Sequence, residues 1–144
     1  ILEFMRKNDK SYYFIFRLHP NNKVKMKEIK KYFVGISNSN FCFDNSKLDL
    51  YALFDEVDFH ITRFSSTCFE ASLFQVKTLL YGKDSFELYK DEILDEQFYW
   101  TSGCKDDLEL FLNDTKSHKT LPIEKLYIQS SLKLAKKLLT LDYN

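Results

Sequence analysis

The sequence lacks the features that mark several common protein classes. Its three cysteines, Cys42, Cys68 and Cys104, are an odd number without short paired spacing, so they fit neither a zinc site nor a dense disulfide framework. They predict buried free thiols in a reducing compartment. No apolar run approaches the roughly 20 residues that a membrane-spanning helix needs. Lys plus Arg equals Asp plus Glu, at 21 each, so the chain lacks the overall basic charge of a duplex nucleic-acid binder and no nucleic-acid partner is expected.

The residues that are present suit a folded domain. Hydrophobic residues make up 44% of the 144 positions and aromatic residues 17%, which is enough to build a core. No repeat, low-complexity tract or Gly/Ser linker divides the chain, so residues 1–144 are expected to form one domain. The chain opens at Ile1 in a segment with the pattern of a helix, which predicts that it is part of a longer protein.

The hydrophobic pattern predicts alternating strands and helices. Residues 12–18 (YYFIFRL) are a continuous run of aromatic and β-branched residues, which is typical of a strand buried on both faces of a parallel sheet. Further strands are expected at 41–43, 58–64, 77–82 and 98–101, and helices at 1–8, 24–33, 48–57, 67–75, 89–97, 105–114 and 122–141. This order favours an α/β fold, a Rossmann-like parallel sheet with helices on both faces.

Two polar motifs follow predicted strands, at the sheet edge where such folds bind ligands. Arg17-Leu18-His19-Pro20 follows the first strand, and Ser65-Ser66-Thr67 follows the third. A helix N-terminus with hydroxyl side chains favours an anion, because free backbone N–H groups and the helix dipole face it. The imidazole of His19 adds a donor. Together these motifs predict a phosphate site.

Ordinary structural roles account for each motif taken alone. Ser or Thr before a helix is the commonest N-cap, and His-Pro is a common turn. The thiol of Cys68 stands near a positive helix end, but a small buried thiol is the favoured interpretation over a nucleophile. His60 is expected to be a packing histidine with its hydrogen bonds satisfied. The aromatic run 98–100 could stack a base, although packing at a strand edge is preferred.

The two motifs together resemble a known group of enzymes. Residues 57–80 (VDFHITRFSSTCFEASLFQVKTLL) are similar to the donor-site region of bacterial surface-polysaccharide glycosyltransferases: an Asp-headed strand, Ser-Ser, then Glu-Ala in a helix before the next strand. Residues 16–20 (FRLHP) resemble the His-Pro motif of the same enzymes. Bacterial sialyltransferases, capsule Kdo-transferases and CDP-glycerol glycerophosphotransferases share this combination. The resemblance covers roughly residues 12–82.

The resemblance implies the C-terminal, nucleotide-donor-binding domain of a two-domain GT-B enzyme. His19 and Pro20 would lie at the donor phosphate, Ser65, Ser66 and Thr67 would hold it, and Glu70 would bind the ribose hydroxyls. The partners implied are a nucleotide-sugar donor and, through an N-terminal domain, a glycan acceptor. No metal or other cofactor is required. A cytoplasmic location is implied, with the inner face of the plasma membrane as the place of any peripheral membrane contact by the full-length protein.

Two departures from this group leave alternatives open. Its members usually have Gly-x-Pro between the Glu-Ala helix and the next strand, where this chain has Gln75-Val76-Lys77. The catalytic base belongs to the N-terminal domain, so no catalytic residue is assigned here. One alternative is a sugar-nucleotide epimerase of the same fold, which normally has a Gly-rich phosphate loop at the position of 65–67. The other is a non-catalytic Rossmann-like interaction module.

Overall fold

The computed structural model describes residues 1–7, 12–18, 26–36, 41–44 and 49–114. The chain divides into two compact units, residues 1–56 and residues 57–144, and each is described by itself. Both are α/β with parallel strand pairing, as the sequence predicts. The expected helix at 122–141 and the motif residues His19 and Pro20 lie outside the described residues. The prediction of a single domain over the whole chain stays a prediction.

The first unit contains a two-stranded parallel ladder. Strand β1 runs parallel to β2, with Phe14 opposite Phe41 and Arg17 opposite Asp44. A helix precedes β1, and a helix continued by a 3-10 turn precedes β2. The elements are α1 (Leu2–Lys7), β1 (Phe14–Arg17), α2 (Met26–Lys30), the 3-10 helix Lys31–Phe33, β2 (Phe41–Asp44) and α3 (Leu50–Glu56).

Phenylalanine rings form much of the core of the first unit. Phe33, on the 3-10 helix, lies with its ring centroid 4.7 Å from that of Phe16 and 4.9 Å from that of Phe41. Met5 and Ile36 complete the buried cluster from α1 and from the turn after the 3-10 helix. The aromatic run of β1 therefore contributes directly to the core, because edge-to-face rings gain specific contact energy in addition to buried area.

The second unit contains a three-stranded parallel sheet in the order β3-β4-β5. Strand β4 lies in the middle, and its residues 78–80 are buried, whereas the four residues of β3 are each half-buried. This difference follows from position, since the middle strand is covered on both sides. The elements are β3 (Phe59–Thr62), α4 (Thr67–Leu73), β4 (Lys77–Tyr81), α5 (Lys83–Leu88), α6 (Lys90–Leu94), β5 (Tyr99–Thr101) and α7 (Lys105–Asn113).

Helices pack on both faces of this sheet. Leu80 points to one face, where it joins Cys68 of α4 and Tyr89 in a buried cluster. Phe59 and Tyr99 point to the other face, where their rings contact Phe111 of α7 at centroid distances of 5.3 and 4.9 Å. Successive strand residues alternate between faces, so neighbouring positions of one strand serve opposite layers.

The predicted helix at 89–97 is wrong in its extent. The structure has two short helices in this region, α5 from Lys83 and α6 from Lys90 to Leu94. They are separated at Tyr89, whose backbone (φ −119°, ψ 28°) leaves the helical region. Tyr89 is buried with its ring 6.1 Å from that of Phe98, so packing of the aromatic ring accompanies the break. Such a tertiary contact overrides the local helix propensity.

The loop between α4 and β4 is a tight helix ending without glycine. Gln75 has φ of 60°, and its N–H donates to the Ser72 carbonyl, while the N–H of Val76 donates to the Ala71 carbonyl at 3.0 Å. This is a Schellman ending, in which the left-handed residue is usually glycine. The buried side chains of Val76 and Ala71 lie at the two positions where this motif commonly has an apolar contact. Gln75-Val76-Lys77 therefore forms the turn between α4 and β4 without the Gly-x-Pro that is usual at this place in the enzymes the sequence resembles.

Gln75→Gly is expected to stabilise the protein by about 1 kcal/mol, because a side chain in the left-handed region costs roughly that amount. Gln75→Ala is the matched control, since alanine keeps the Cβ and should give no comparable gain. Urea unfolding at constant slope measures both changes. A lower free energy of unfolding for Gln75→Gly than for Gln75→Ala would show that the glycine variant does not relieve this conformation.

Within the described residues, none of the helices combines the length and the apolar character needed to cross a membrane.

Candidate functional site

The Ser65-Ser66-Thr67 segment lies at the carboxyl end of β3 and leads into α4, as predicted. Ser66 is exposed and holds the N-cap position, but its side chain makes no capping hydrogen bond. Ser65 takes that role one residue earlier: its Oγ accepts from the Thr67 N–H at 3.3 Å and from the Thr67 hydroxyl at 2.9 Å. The N-cap interpretation of the serine segment therefore applies to Ser65, and the exposed hydroxyl of Ser66 makes no capping hydrogen bond.

His60 connects this turn to the middle strand. Its Nδ1 lies 3.2 Å from the Thr78 hydroxyl on β4, and its Nε2 lies 3.5 Å from the Thr67 hydroxyl. Burial lowers the pKa of His60 to about 4, so the ring is neutral at pH 7. The expectation of a packing histidine with satisfied hydrogen bonds is confirmed.

The direction of these hydrogen bonds decides what Ser65 can do. With the Thr67 hydroxyl as the donor to Ser65, the tautomer that completes the network is the one whose Nε2–H points to the Thr67 oxygen, 3.5 Å away. A neutral imidazole has one donor and one acceptor nitrogen, so Nδ1 accepts from Thr78. Both acceptor positions of the Ser65 hydroxyl are thus filled, and its own proton has no acceptor among the residues that the structure describes. This series of hydrogen bonds, from Thr78 through His60 and Thr67 to Ser65, ends in a hydroxyl donor at the carboxyl edge of the sheet.

The backbone N–H groups of the turn are largely committed. The N–H of Cys68 donates to the Ser65 carbonyl at 3.2 Å, and that of Phe69 donates to the Ser66 carbonyl at 3.0 Å. The N–H of Thr67 donates to the Ser65 hydroxyl at 3.3 Å. An anion at this edge would therefore meet the Ser65 and Ser66 hydroxyls first. The backbone donors that a helix N-terminus commonly offers are mostly in use.

Neighbouring side chains tie the loops of this edge together. Ser85, fully buried at the start of α5, hydrogen-bonds the carbonyls of Arg63 and Tyr81, the latter at 2.7 Å. The Trp100 N–H donates to the Gly82 carbonyl at 2.9 Å. The sequence did not single out Ser85, for two reasons. Its partner Arg63 is 22 residues away in sequence, and no helix was predicted to begin at Lys83. The Gly-Lys-Asp-Ser run after β4 was the available signal for a helix start there.

Arg63 lies at the same edge but forms an ion pair. Its Nη2 is 2.6 Å from Oδ2 of Asp84, and its guanidinium carbon lies 5.5 Å from the centre of the Phe64 ring. Both partners of the ion pair are more than half exposed, so the pair contributes little to stability. The Arg63 guanidinium, paired with Asp84, lies at the edge of the sheet where β3 ends, and Arg63 comes two residues before Ser65 in sequence.

The other predicted site residues are placed only in part. Glu70 lies half-buried in the first turn of α4, one turn beyond the Ser65 segment, and its predicted ribose role stays a prediction. His19 and Pro20 fall outside the described residues, so the structure does not test whether they join Ser65, Ser66 and Thr67. In the described ranges, no group of three or more His, Cys, Asp or Glu side chains is arranged to hold a metal ion.

The three thiols differ in environment, which corrects the expectation that all are buried. All three are free, but Cys104 is exposed and Cys42 is half-buried. Cys68 is buried beneath the turn, and burial raises the pKa of its thiol to about 12. A thiol is nucleophilic as the thiolate, so Cys68 is a packing residue and not a nucleophile.

Comparisons of the chain with protein-family models, with curated proteins and with solved structures found no match.

Proposed function

We propose that this chain is the nucleotide-donor-binding domain of a glycosyltransferase. In this proposal it is one half of a GT-B fold that moves a sugar, or a sugar-like unit, from a nucleotide donor to a hydroxyl of a surface polysaccharide or lipooligosaccharide. Its support is the sequence resemblance of residues 12–82 together with the α/β architecture, in which parallel strands place their carboxyl ends at one edge.

The observation that carries the proposal is the state of the Ser65 hydroxyl. Its acceptor positions are filled by the Thr67 N–H and hydroxyl, which leaves it a donor, and exposed Ser66 adds a second hydroxyl beside it. A phosphate oxygen accepts hydrogen bonds, so two hydroxyl donors at the end of β3 suit a donor diphosphate.

The proposed chemical role is electrostatic. As the glycosyl bond breaks, negative charge develops on the departing nucleotide phosphate, and hydroxyl donors fixed at that position stabilise the charge. His19 would add an imidazole donor and Glu70 would accept from the ribose hydroxyls, both by resemblance. The catalytic base and the acceptor site would come from an N-terminal domain. No residue of this chain is proposed as the base, and no metal is required.

A second candidate is a non-catalytic Rossmann-like interaction module. The observation that favours it is the internal use of backbone N–H groups, since the first N–H groups of α4 donate to the Ser65 hydroxyl and to the carbonyls of Ser65 and Ser66. A phosphate-binding helix start usually keeps those groups for the ligand. No observation favours the epimerase alternative, because the segment 65–67 contains no glycine, whereas epimerases of this fold normally have a Gly-rich phosphate loop there.

Nucleotide titration distinguishes these candidates. Calorimetry of the chain with CMP, CDP, UDP and GDP is expected to show saturable binding of at least one of them. Ser66→Ala should then weaken binding about tenfold, the effect of losing a hydrogen bond to a charged group, with little change in melting temperature. His19→Ala is expected to act in the same direction.

Ser72→Ala is the matched control for the titration. Ser72 lies on the same helix, α4, and its hydroxyl donates to the Cys68 carbonyl at 3.1 Å, within the helix. Its loss should leave nucleotide affinity unchanged. Absence of saturable binding to all four nucleotides would favour the interaction module, whereas equal binding by wild type, Ser66→Ala and His19→Ala would remove the site assignment but keep a nucleotide-binding domain.

A further inference from the structure

A basic surface of the first unit surrounds α2 and the 3-10 helix that follows it. Residues 26, 29, 33 and 36 face inward, where Phe33 and Ile36 are buried and Ile29 packs against the cluster they form. The side chains between them are largely exposed. The surface called here the basic face consists of four cations, one acid and two apolar residues: Arg6 of α1 with Lys27, Glu28, Lys30, Lys31, Tyr32 and Val34.

Contacts within the unit hold the basic face in one place. The Arg6 guanidinium, from the end of α1, donates to the Tyr32 carbonyl at 3.3 Å. The Lys30 ammonium lies 5.4 Å from the centre of the half-buried Phe43 ring. These contacts bring a cation of α1 beside those of α2 and fix one lysine on the surface. The cations therefore form a local patch in a chain whose total charge is zero.

The basic and acidic residues are distributed unevenly between the two units, and the excess of basic residues lies in the unit that carries the basic face. Residues 1–56 contain ten Lys and Arg against seven Asp and Glu, a net charge of +3. Residues 57–144 contain eleven Lys and Arg against fourteen Asp and Glu, a net charge of −3. The excess of basic residues in the first unit favours an anionic over a cationic partner for that unit.

Exposed apolar side chains lie within this basic surface. Val34 is 78% exposed and Tyr32 is 67% exposed. Tyr32 directly follows Lys31, and Val34 comes two residues later, after the buried Phe33. Single exposed apolar residues are ordinary on a protein surface. Two exposed apolar residues within three positions, close to four cations, match a membrane interface, however. There basic side chains meet anionic headgroups, and aromatic or aliphatic side chains enter the boundary with the acyl chains.

We propose that the basic face binds the surface of a membrane containing anionic lipids, with the cations on the headgroups and Tyr32 and Val34 inserted between them. The charge complementarity favours an anionic partner, and the exposed apolar pair favours lipid over nucleic acid, which has no boundary layer for a valine to enter. The inference goes beyond the proposed donor site and does not depend on it, since no residue of that site belongs to the basic face.

Vesicle sedimentation of the full chain tests this surface. We expect binding to vesicles of phosphatidylcholine with phosphatidylglycerol, and much weaker binding to phosphatidylcholine alone. Lys27→Glu with Lys31→Glu should lower partition at least about tenfold, since each basic residue near such a surface contributes roughly fivefold. Tyr32→Ser with Val34→Ser should lower it about fourfold or more, the factor for withdrawing one buried methylene.

Matched variants of the second unit serve as controls. Lys83→Glu with Lys90→Glu removes two exposed lysines elsewhere, and Leu94→Ser removes an apolar side chain that is 64% exposed. Both should bind like the wild type, and melting temperatures of all variants should stay close together. Unchanged partition of the Lys27/Lys31 variant, or wild-type binding that is equal on both vesicle types, would overturn the proposal.

Retention on heparin separates lipid from a general polyanion. The Tyr32/Val34 variant should keep wild-type retention on heparin while losing vesicle binding. If the Lys27/Lys31 variant loses vesicle and heparin binding together while the Tyr32/Val34 variant loses neither, the surface recognises negative charge alone and the membrane proposal is overturned.

Discussion

Phe111→Ala is expected to lower the free energy of unfolding by about 4 kcal/mol. Phe111 is 1% exposed on α7, and its ring contacts Phe59 of β3 and Tyr99 of β5 edge-on. It therefore joins one helix to both outer strands of the three-stranded sheet. Removing a buried phenylalanine costs about 3–5 kcal/mol, since both its hydrophobic transfer energy and its packing contacts are lost. Denaturant unfolding, with the slope checked for constancy, measures the change.

Leu110→Ala is the control for this prediction. Leu110 is the neighbouring residue on α7 but is 70% exposed, so its removal should change the free energy of unfolding by less than about 0.5 kcal/mol. Similar losses for the two variants would mean that α7 does not pack on the sheet through Phe111. A small loss for both would mean that the helix is not part of the cooperative unit.

Acid is expected to destabilise the protein through His60 over the range from pH 6.5 to pH 4. The pKa of His60 in the folded chain is lowered by burial to about 4, whereas an unfolded histidine titrates near 6.5. Between these values the unfolded chain binds more protons, so stability falls as the pH falls. The contribution is fully present above pH 6.5 and is lost as the pH drops through 4, and its full size is about 3 kcal/mol.

His60→Gln isolates this contribution. Glutamine keeps one donor and one acceptor for Thr67 and Thr78 but does not titrate. Between pH 7 and pH 4.5 the wild type should lose about 2 kcal/mol more of its free energy of unfolding than the variant does. Parallel pH profiles for the two proteins would show that the histidine is not held in its neutral form. The comparison removes the carboxylate titrations, which both proteins share.

Much of the fold could be predicted from local patterns. The run 12–18 contains β1, and the order of strands and helices predicted parallel pairing, which all three strand pairs confirm. Continuous apolar runs and helix-forming segments are local properties, so they can be recognised in the sequence without knowledge of the tertiary structure. The break at Tyr89 could not be predicted, because it accompanies burial of that ring with Cys68, Leu80 and Phe98.

The position of the candidate site was predictable, but its chemistry was not. The sequence placed Ser65, Ser66 and Thr67 after a strand and before a helix, and they lie there. It gave the phosphate role equally to both serines. The structure divides the roles: Ser65 is the acceptor for Thr67 and is left with a proton to donate, whereas Ser66 is exposed. Which oxygen accepts depends on His60 and on Thr78, 18 residues beyond it.

What the sequence by itself determined is the class of the fold, the parallel pairing and the place of the serine segment, because these follow from hydrophobic periodicity and from residue preferences within a few positions. Only the tertiary structure decided that Gln75 completes a helix ending without glycine, that Cys68 is inert through burial, and that His60 orients the hydrogen bonds leading to Ser65. Each of these depends on groups brought together by packing, which no local pattern specifies.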